Sequence, residues 1–176
     1  MRKFRNRYIK PKKLWSKARL SEEKEIKKRY GLKNMREIWR AEYKVKKIRQ
    51  MAKKLITASP EAQKEFISKL ASYGFIKNDA LIDDVLALDK TKILDRRLQT
   101  IVYKLGLANT IKHARQLITH GHVYLSEKRV NTPGYIVKID EEDKISLEKS
   151  KKSERESASK HETSAQTMTQ PSTLPT

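Results

Sequence analysis

The chain has 176 residues, with 41 Lys/Arg against 21 Asp/Glu and a net charge of +20, which calls for a polyanionic partner such as nucleic acid or an anionic surface. It contains no cysteine, so disulfides, cysteine zinc sites and a thiol nucleophile are all excluded. No run approaches the ~18 apolar residues of a membrane span, and the basic start MRKFRNRYIKPKKLW lacks the apolar stretch of a secretory signal. A cytosolic protein without a membrane partner is expected.

The charge is unevenly placed. Residues 1–60 carry 22 Lys/Arg and 5 Asp/Glu, a net +17, whereas residues 91–150 carry 11 and 7, a net +4. Residues 1–20 form a basic arm with Arg2, Lys3, Arg5, Arg7, Lys12 and Lys13, and with Phe4, Tyr8 and Trp15 interleaved. The arm has no apolar period, so it buries too little to fold alone and reads as extended. Basic residues alternating with aromatics suit contact with RNA phosphates and bases.

Residues 21–90 read as a basic helical domain. A helix is expected over about Glu22–Tyr30 with Gly31 as its left-handed cap. Asn34 then starts a longer helix, with Glu37 as capping-box partner. Ile38, Ala41, Val45, Ile48, Ala52, Leu55 and Ile56 recur at helical spacing. The other faces are almost wholly positive, including Arg36, Arg40, Lys44, Lys47 and Lys53. Solvated helices usually mix signs, so phosphate contact is favoured, with Arg36, Arg40, Lys47 and Lys53 as candidates. Ser59-Pro60-Glu61 is another helix start, and Tyr73-Gly74 ends that helix. Leu81, Ile82, Val85, Leu86 and Leu88 mark the next piece. Asp79, Asp83 and Asp84 beside it read as caps and dipole partners rather than metal ligands.

Residues 91–148 read as a small RNA-binding module of two helices and a twisted antiparallel or mixed sheet. Leu94, Leu98, Ile101, Val102 and Leu105 mark one face of a single helix, with Arg97 and Lys104 on another. Gly106 breaks it, Thr110 caps the second helix, and Gly121 ends it. There Ile111, Ala114, Leu117 and Ile118 point inward, while Lys112, Arg115, Gln116 and Thr119 gather opposite. Val123 to Val130 reads as a hairpin around Ser126-Glu127-Lys128. Tyr135–Ile139 reads as a strand, Asp140–Asp143 as an acidic turn, and Ile145 and Leu147 as the closing strand. The tail, 149–176, is rich in Ser, Thr, Lys, Glu and Gln and is expected to be disordered. The fold class is therefore α+β.

His113, His120 and His122 lie within ten residues, but no Cys or close acid completes a metal set. RNA contact or helix capping is the better reading for them. No Ser/His/Asp set and no G-x-x-x-x-G-K phosphate loop is evident, so neither cofactor, metal nor enzymatic activity is expected. The two-helix pattern by itself also fits a DNA-binding helix-turn-helix.

The stretch RLQTIVYKLGLANTIKHARQLITHGHV resembles the RNA-binding module named after small-subunit ribosomal protein S-four. Tyr30-Gly31-Leu32-Lys33-Asn34, Arg36-Glu37-Ile38-Trp39 and Asp83-Asp84-Val85-Leu86 extend the likeness to the archaeal and eukaryotic type of that family, over roughly residues 11–147. The resemblance implies a primary binder of small-subunit ribosomal RNA that starts assembly of the five-prime domain. It also implies a place near where messenger RNA enters the subunit, contact with ribosomal protein S-five and an effect on decoding accuracy. It places Arg97, Lys104, Lys112, Arg115, Gln116, His120, His122, Lys128 and Arg129 on the RNA-facing surface. The turn at Ser126-Glu127-Lys128 lacks the glycine common in the family, and the cysteine zinc knot of some bacterial relatives is absent. The same module also occurs in RNA-modifying enzymes and a tyrosine-specific tRNA synthetase, but those need a catalytic domain of at least ~100 further residues. The alternative function is a ribosome-biogenesis factor of the same module family that binds pre-ribosomal RNA.

Overall fold

The structure is a computed structural model that describes residues 8–77 and 79–147. The expected disordered tail and Arg2, Lys3, Arg5 and Arg7 of the arm lie outside the described residues. In chain order the elements are α1 (Lys17–Arg29), α2 (Met35–Leu55), α3 (Pro60–Ser72), α4 (Ile82–Leu86), α5 (Lys90–Asp95), α6 (Leu98–Lys104), α7 (Ile111–His120), β1 (Val123–Leu125), β2 (Lys128–Arg129), α8 (Ile139–Glu142) and β3 (Ile145–Leu147). The strands form one sheet in the order β2-β1-β3. The α+β class therefore holds, with helix dominant.

Helix α1 begins at Lys17, inside the stretch read as an extended arm and ahead of the expected start at Glu22. Its anchor is a buried carboxylate. Glu23 pairs with Arg19 one turn earlier and accepts a hydrogen bond from Trp39 Nε1 at 3.0 Å. That triad fastens α1 to α2 through polar groups, which a search for apolar periodicity does not see. Gly31 then takes φ +57°, and Leu32 N–H donates to the Lys27 carbonyl at 3.0 Å, so the helix closes as expected. A Cβ at Gly31 would lie 2.8 Å from Ile111 and 3.1 Å from the Gln99 amide. The glycine is thus needed twice, for its backbone and for the close approach of the module.

The long helix α2 buries Ile38, Ala41, Val45 and Ala52, as its spacing predicts. These pack with Tyr30, Leu70, Phe75, Val85, Leu88, Ile93 and Leu94 in one core. Ile56, placed on the same stripe, is 52% exposed because α2 ends at Leu55 and the chain turns away. Leu81 is exposed for a similar reason: it is the N-cap of α4, where Asp84 Oδ2 accepts its N–H at 2.9 Å. Tyr30, at the junction of α1 and the module, donates its hydroxyl proton to Asp95 at 3.0 Å. Burial and that carboxylate push its pKa up to about 12.

The largest departure lies at the start of the module. The apolar pattern from Leu94 to Leu105 predicts one helix, yet the chain breaks between α5 and α6. Arg97 adopts extended backbone and forms an antiparallel bridge with Ile136. Leu98 N–H donates to the Tyr135 carbonyl at 2.8 Å, and Val137 N–H donates to the Arg96 carbonyl at 3.0 Å. A segment some 40 residues downstream in sequence thus intercepts hydrogen bonds that a continuous helix would make internally. The same pairing corrects the expected strand Tyr135–Ile139, which is reduced to that bridge, and the acidic turn, which is helix α8. Ile139 and Leu105 are accordingly exposed. Leu98, Ile101, Val102, Ala114, Ile118, Val123 and Val137 are buried, so the apolar assignments survive the change of backbone.

The second helix of the module matches its expectation closely. Thr110 Oγ1 accepts the His113 N–H at 3.1 Å, and Gly121 ends α7 at φ +79°. In the hairpin, Leu125 faces Lys128 and Tyr124 faces Arg129, so Ser126 and Glu127 make a two-residue turn. Ser126 takes φ +56°, a left-handed value that glycine adopts without strain.

Candidate nucleic-acid interface

Arg40, Lys44 and Lys47 follow one another at helical spacing on α2 and share a face. The packing of α2 against α5 and the 132–136 loop turns that face into the wall of a groove. The groove has a volume of about 1060 Å³ and also receives Arg97 and Arg115 from the module. Thr132, Pro133 and Gly134 form the opposite wall. Five cations and one carboxylate, Glu37, line it.

Glu37 is not the capping partner that the Asn34 spacing suggests. Asn34 makes no side-chain cap bond, and the carboxylate turns to the module instead. Arg97 Nη2 donates to Glu37 Oε2 at 2.7 Å; Arg115 donates from Nη2 to Oε1 at 2.8 Å and from Nη1 to Oε2 at 3.2 Å. Burial alone would raise the Glu37 pKa, but the Arg115 hydrogen bonds and the two guanidinium charges outweigh it and hold the carboxyl below its ordinary range. Burial depresses the Arg97 pKa while Glu37 opposes the shift, and an arginine stays charged throughout the working range. The groove floor is therefore an ionised triad with one net positive charge.

Gln99 orders the triad from beneath. It is fully buried, and its amide nitrogen donates to the carbonyls of Tyr30, Gly31 and Ile111 at 3.0–3.3 Å. Its oxygen accepts from Arg115 Nη1 at 3.3 Å. One side chain so ties the α1–α2 corner, α7 and the arginine pair together. Sequence reading passed over Gln99 because an amide between apolar positions has no periodic signature. Glu37 carried a weak signal, as a lone acid between Arg36 and Arg40 on a positive helix.

The expected RNA-facing residues therefore separate. Arg40, Lys47, Arg97 and Arg115 come together in the groove. Arg97 is 8% exposed, so its expected place on an open surface is corrected: its guanidinium sits on the groove floor, paired with Glu37. Arg115 is half-buried for the same reason. Lys104, Lys112 and Gln116 lie exposed on α6 and α7. His120, His122, Lys128 and Arg129 are exposed at the hairpin end of the module. There the two imidazole rings are 6.4 Å apart, and Arg129 Nη2 donates to the His120 carbonyl at 2.7 Å. A cation on the last carbonyls of α7 complements the helix dipole. Its guanidinium lies directly over Gly121, where any Cβ would collide with it. Arg36 and Lys53 are exposed on α2, and Lys12 and Lys13 are exposed ahead of α1. Among the described residues no cluster of His, Cys, Asp and Glu could hold a metal, and no helix is long and apolar enough to cross a membrane.

Two helices followed by a hairpin, with cations on the outer faces, define a nucleic-acid-binding module of a known kind: a family model described as the S4 domain matches residues 96–145. That match begins at the break between α5 and α6. The likeness extends well beyond it. The small ribosomal subunit protein uS4 of Saccharolobus solfataricus is 46% identical over 149 residues, covering 82% of each chain. The proteins of the same name from Hyperthermus butylicus and Ignicoccus hospitalis are 44% identical over 148 residues, 82% of this chain and 84% and 89% of theirs. The chain belongs to the small ribosomal subunit protein uS4 family.

Proposed function

We propose that the chain is a structural, non-catalytic component of the small ribosomal subunit that binds its ribosomal RNA. The observation that carries this reading is the groove, where helix α2 and the module converge five cations on one shaped surface around a fixed triad. Arginines held in place before binding lose little freedom on meeting phosphate, so they can fix register as well as supply charge. A folded RNA would be recognised there through backbone and shape. Lys104, Lys112, Gln116, His120, His122, Lys128 and Arg129 extend the same contact over the module, and Arg36, Lys53, Lys12 and Lys13 extend it over the helical part. The arm residues Arg2, Lys3, Arg5 and Arg7 add non-specific attraction. In this reading residues 91–148 act as the register-setting module, residues 21–90 as the helical platform, and residues 1–20 as the arm.

The finer reading places the RNA site in the five-prime domain, where binding starts assembly. Ribosomal protein S-five is then the neighbour, near where messenger RNA enters, in a cytoplasmic ribosome. The relatives' shared name, small ribosomal subunit protein uS4, supports a resident protein over a biogenesis factor. Binding of the full chain to five-prime-domain ribosomal RNA, followed against salt, tests the reading. Affinity should fall linearly on logarithmic axes, more steeply the more phosphates are neutralised, and the protein should stay with mature small subunits through a high-salt wash. Loss from mature subunits, with retention only on precursors, would transfer the chain to the biogenesis class.

A further inference from the structure

The cationic groove continues past Gly134 into a second cavity of about 550 Å³. The two share Lys44, Lys47, Ile93, Gly134 and Ile136. Their linings differ in kind. The second cavity presents Tyr73, Phe75 and Tyr135 over an aliphatic base of Ile48, Leu70 and Ile93, and among the described residues its charged lining is Lys44, Lys47 and Lys138. Tyr73 and Phe75 stack with ring centroids 5.8 Å apart and planes 22° apart. Lys138 Nζ lies 5.9 Å from the Tyr73 ring. The Tyr135 ring is held at its far end, where its hydroxyl bonds the Glu141 carboxylate at 3.1 Å. Phe75 is buried, whereas Tyr73 and Tyr135 are half-buried.

We propose that this cavity receives a nucleobase turned out of an RNA strand whose phosphates lie along the cationic groove. The inference rests on the RNA-binding reading and adds a site to it. A base brings a flat π-face, which aromatic side chains accept whatever its identity. Its own phosphates must lie next to it, and here the cavity lining carries the ammonium groups of Lys44 and Lys47, both shared with the groove, and of Lys138. An apolar protein side chain would fit the base of the cavity but would not complement the positive charge that Lys44, Lys47 and Lys138 give its lining. Unstacked bases are also the part of a folded RNA that proteins read most directly.

The test uses the full chain and two probes of about ten nucleotides, oligoadenylate and an abasic ribose-phosphate oligomer of equal length and charge. Oligoadenylate should bind about tenfold tighter, the scale of one base stacked on an aromatic ring. Tyr73→Leu keeps the apolar volume but removes the ring, and should bring oligoadenylate down to the abasic affinity. Tyr73→Phe should keep the difference. Abasic binding unchanged in both variants would show that the fold and groove are intact. Lys47→Ala should weaken both probes equally. Equal affinities of the wild-type chain for the two probes, insensitive to Tyr73→Leu, would overturn the base site and leave the cavity to an apolar side chain of a neighbouring protein. If neither probe binds while five-prime-domain ribosomal RNA does, the base site alone falls; if that RNA also fails to bind, the RNA-binding reading falls with it.

Discussion

The two ends of the module use the same residue type differently. At the groove, Arg97 and Arg115 are locked onto one carboxylate contributed by a helix about 60 and 78 residues away in sequence. At the hairpin, Arg129 donates to a backbone carbonyl nine residues away, and Lys128, His120 and His122 stand on the exposed surface. The first arrangement joins stability to binding, because the groups that would meet RNA also hold α2 to the module. The second leaves them separate. An exposed cation can be lost with little structural consequence, whereas a paired buried one leaves an uncompensated charge behind.

The sharpest way to break this contrast is to remove Glu37. Glu37→Ala strands Arg97 in a site that is 8% exposed, and such losses typically cost about 3–5 kcal/mol of folding stability. Urea unfolding should show it as a lower midpoint at unchanged slope. Folded protein that remains should bind short RNA more tightly at low salt, since the groove has lost its one negative charge. A midpoint within experimental scatter of the wild type would mean that the triad does not fasten α2 to the module.

Arg115→Ala against Lys112→Ala compares the two kinds of cation on one helix. Arg115→Ala should lower RNA affinity by about 1–3 kcal/mol, the value of a charge-assisted contact, and should lower the unfolding midpoint as well. Lys112→Ala should weaken RNA binding by less than about 1 kcal/mol and leave the midpoint where it was. Matching stability losses in the two variants would erase the distinction.

The pH dependence sharpens it further. Despite the opposing effect of burial, the Arg115 and Arg97 contacts hold the Glu37 carboxyl below its ordinary value of 4.5. The folded state therefore prefers the ionised form. Its contribution is complete above the unfolded value and is lost as pH falls through 4.5 toward the lower folded value. Unfolding midpoints of the wild type and Glu37→Gln should accordingly differ most near neutral pH and converge below pH 4.5. A gap that stays constant into acid would assign the Glu37 effect to packing rather than charge.

The smallest expected change lies at the hairpin. Ser126 holds φ +56°, so Ser126→Gly should stabilise the chain by about 0.5–1 kcal/mol, offset in part by the greater freedom of glycine when unfolded. RNA affinity should barely move, because the turn is coupled to no member of the triad. A large affinity change from this substitution would join the two ends of the module after all.

The local features were readable in the chain because their physics is local. Helical spacing placed Ile38, Ala41 and Val45 inside α2; Thr110 and Gly121 marked both ends of α7; and the positive face of Arg40, Lys44 and Lys47 was visible as a basic run with few acids. The family signal was readable too, in RLQTIVYK and ARQLITHGH. Tertiary contact decided the rest. An apolar period cannot tell one helix from two when the break at Arg97 comes from carbonyls near residue 135. Nor can composition choose, among many arginines, the two that a single glutamate will bind. That choice depends on how closely the α1–α2 corner approaches α7, where Gly31 leaves room for the Ile111 side chain and the Gln99 amide bonds the Gly31 and Ile111 carbonyls.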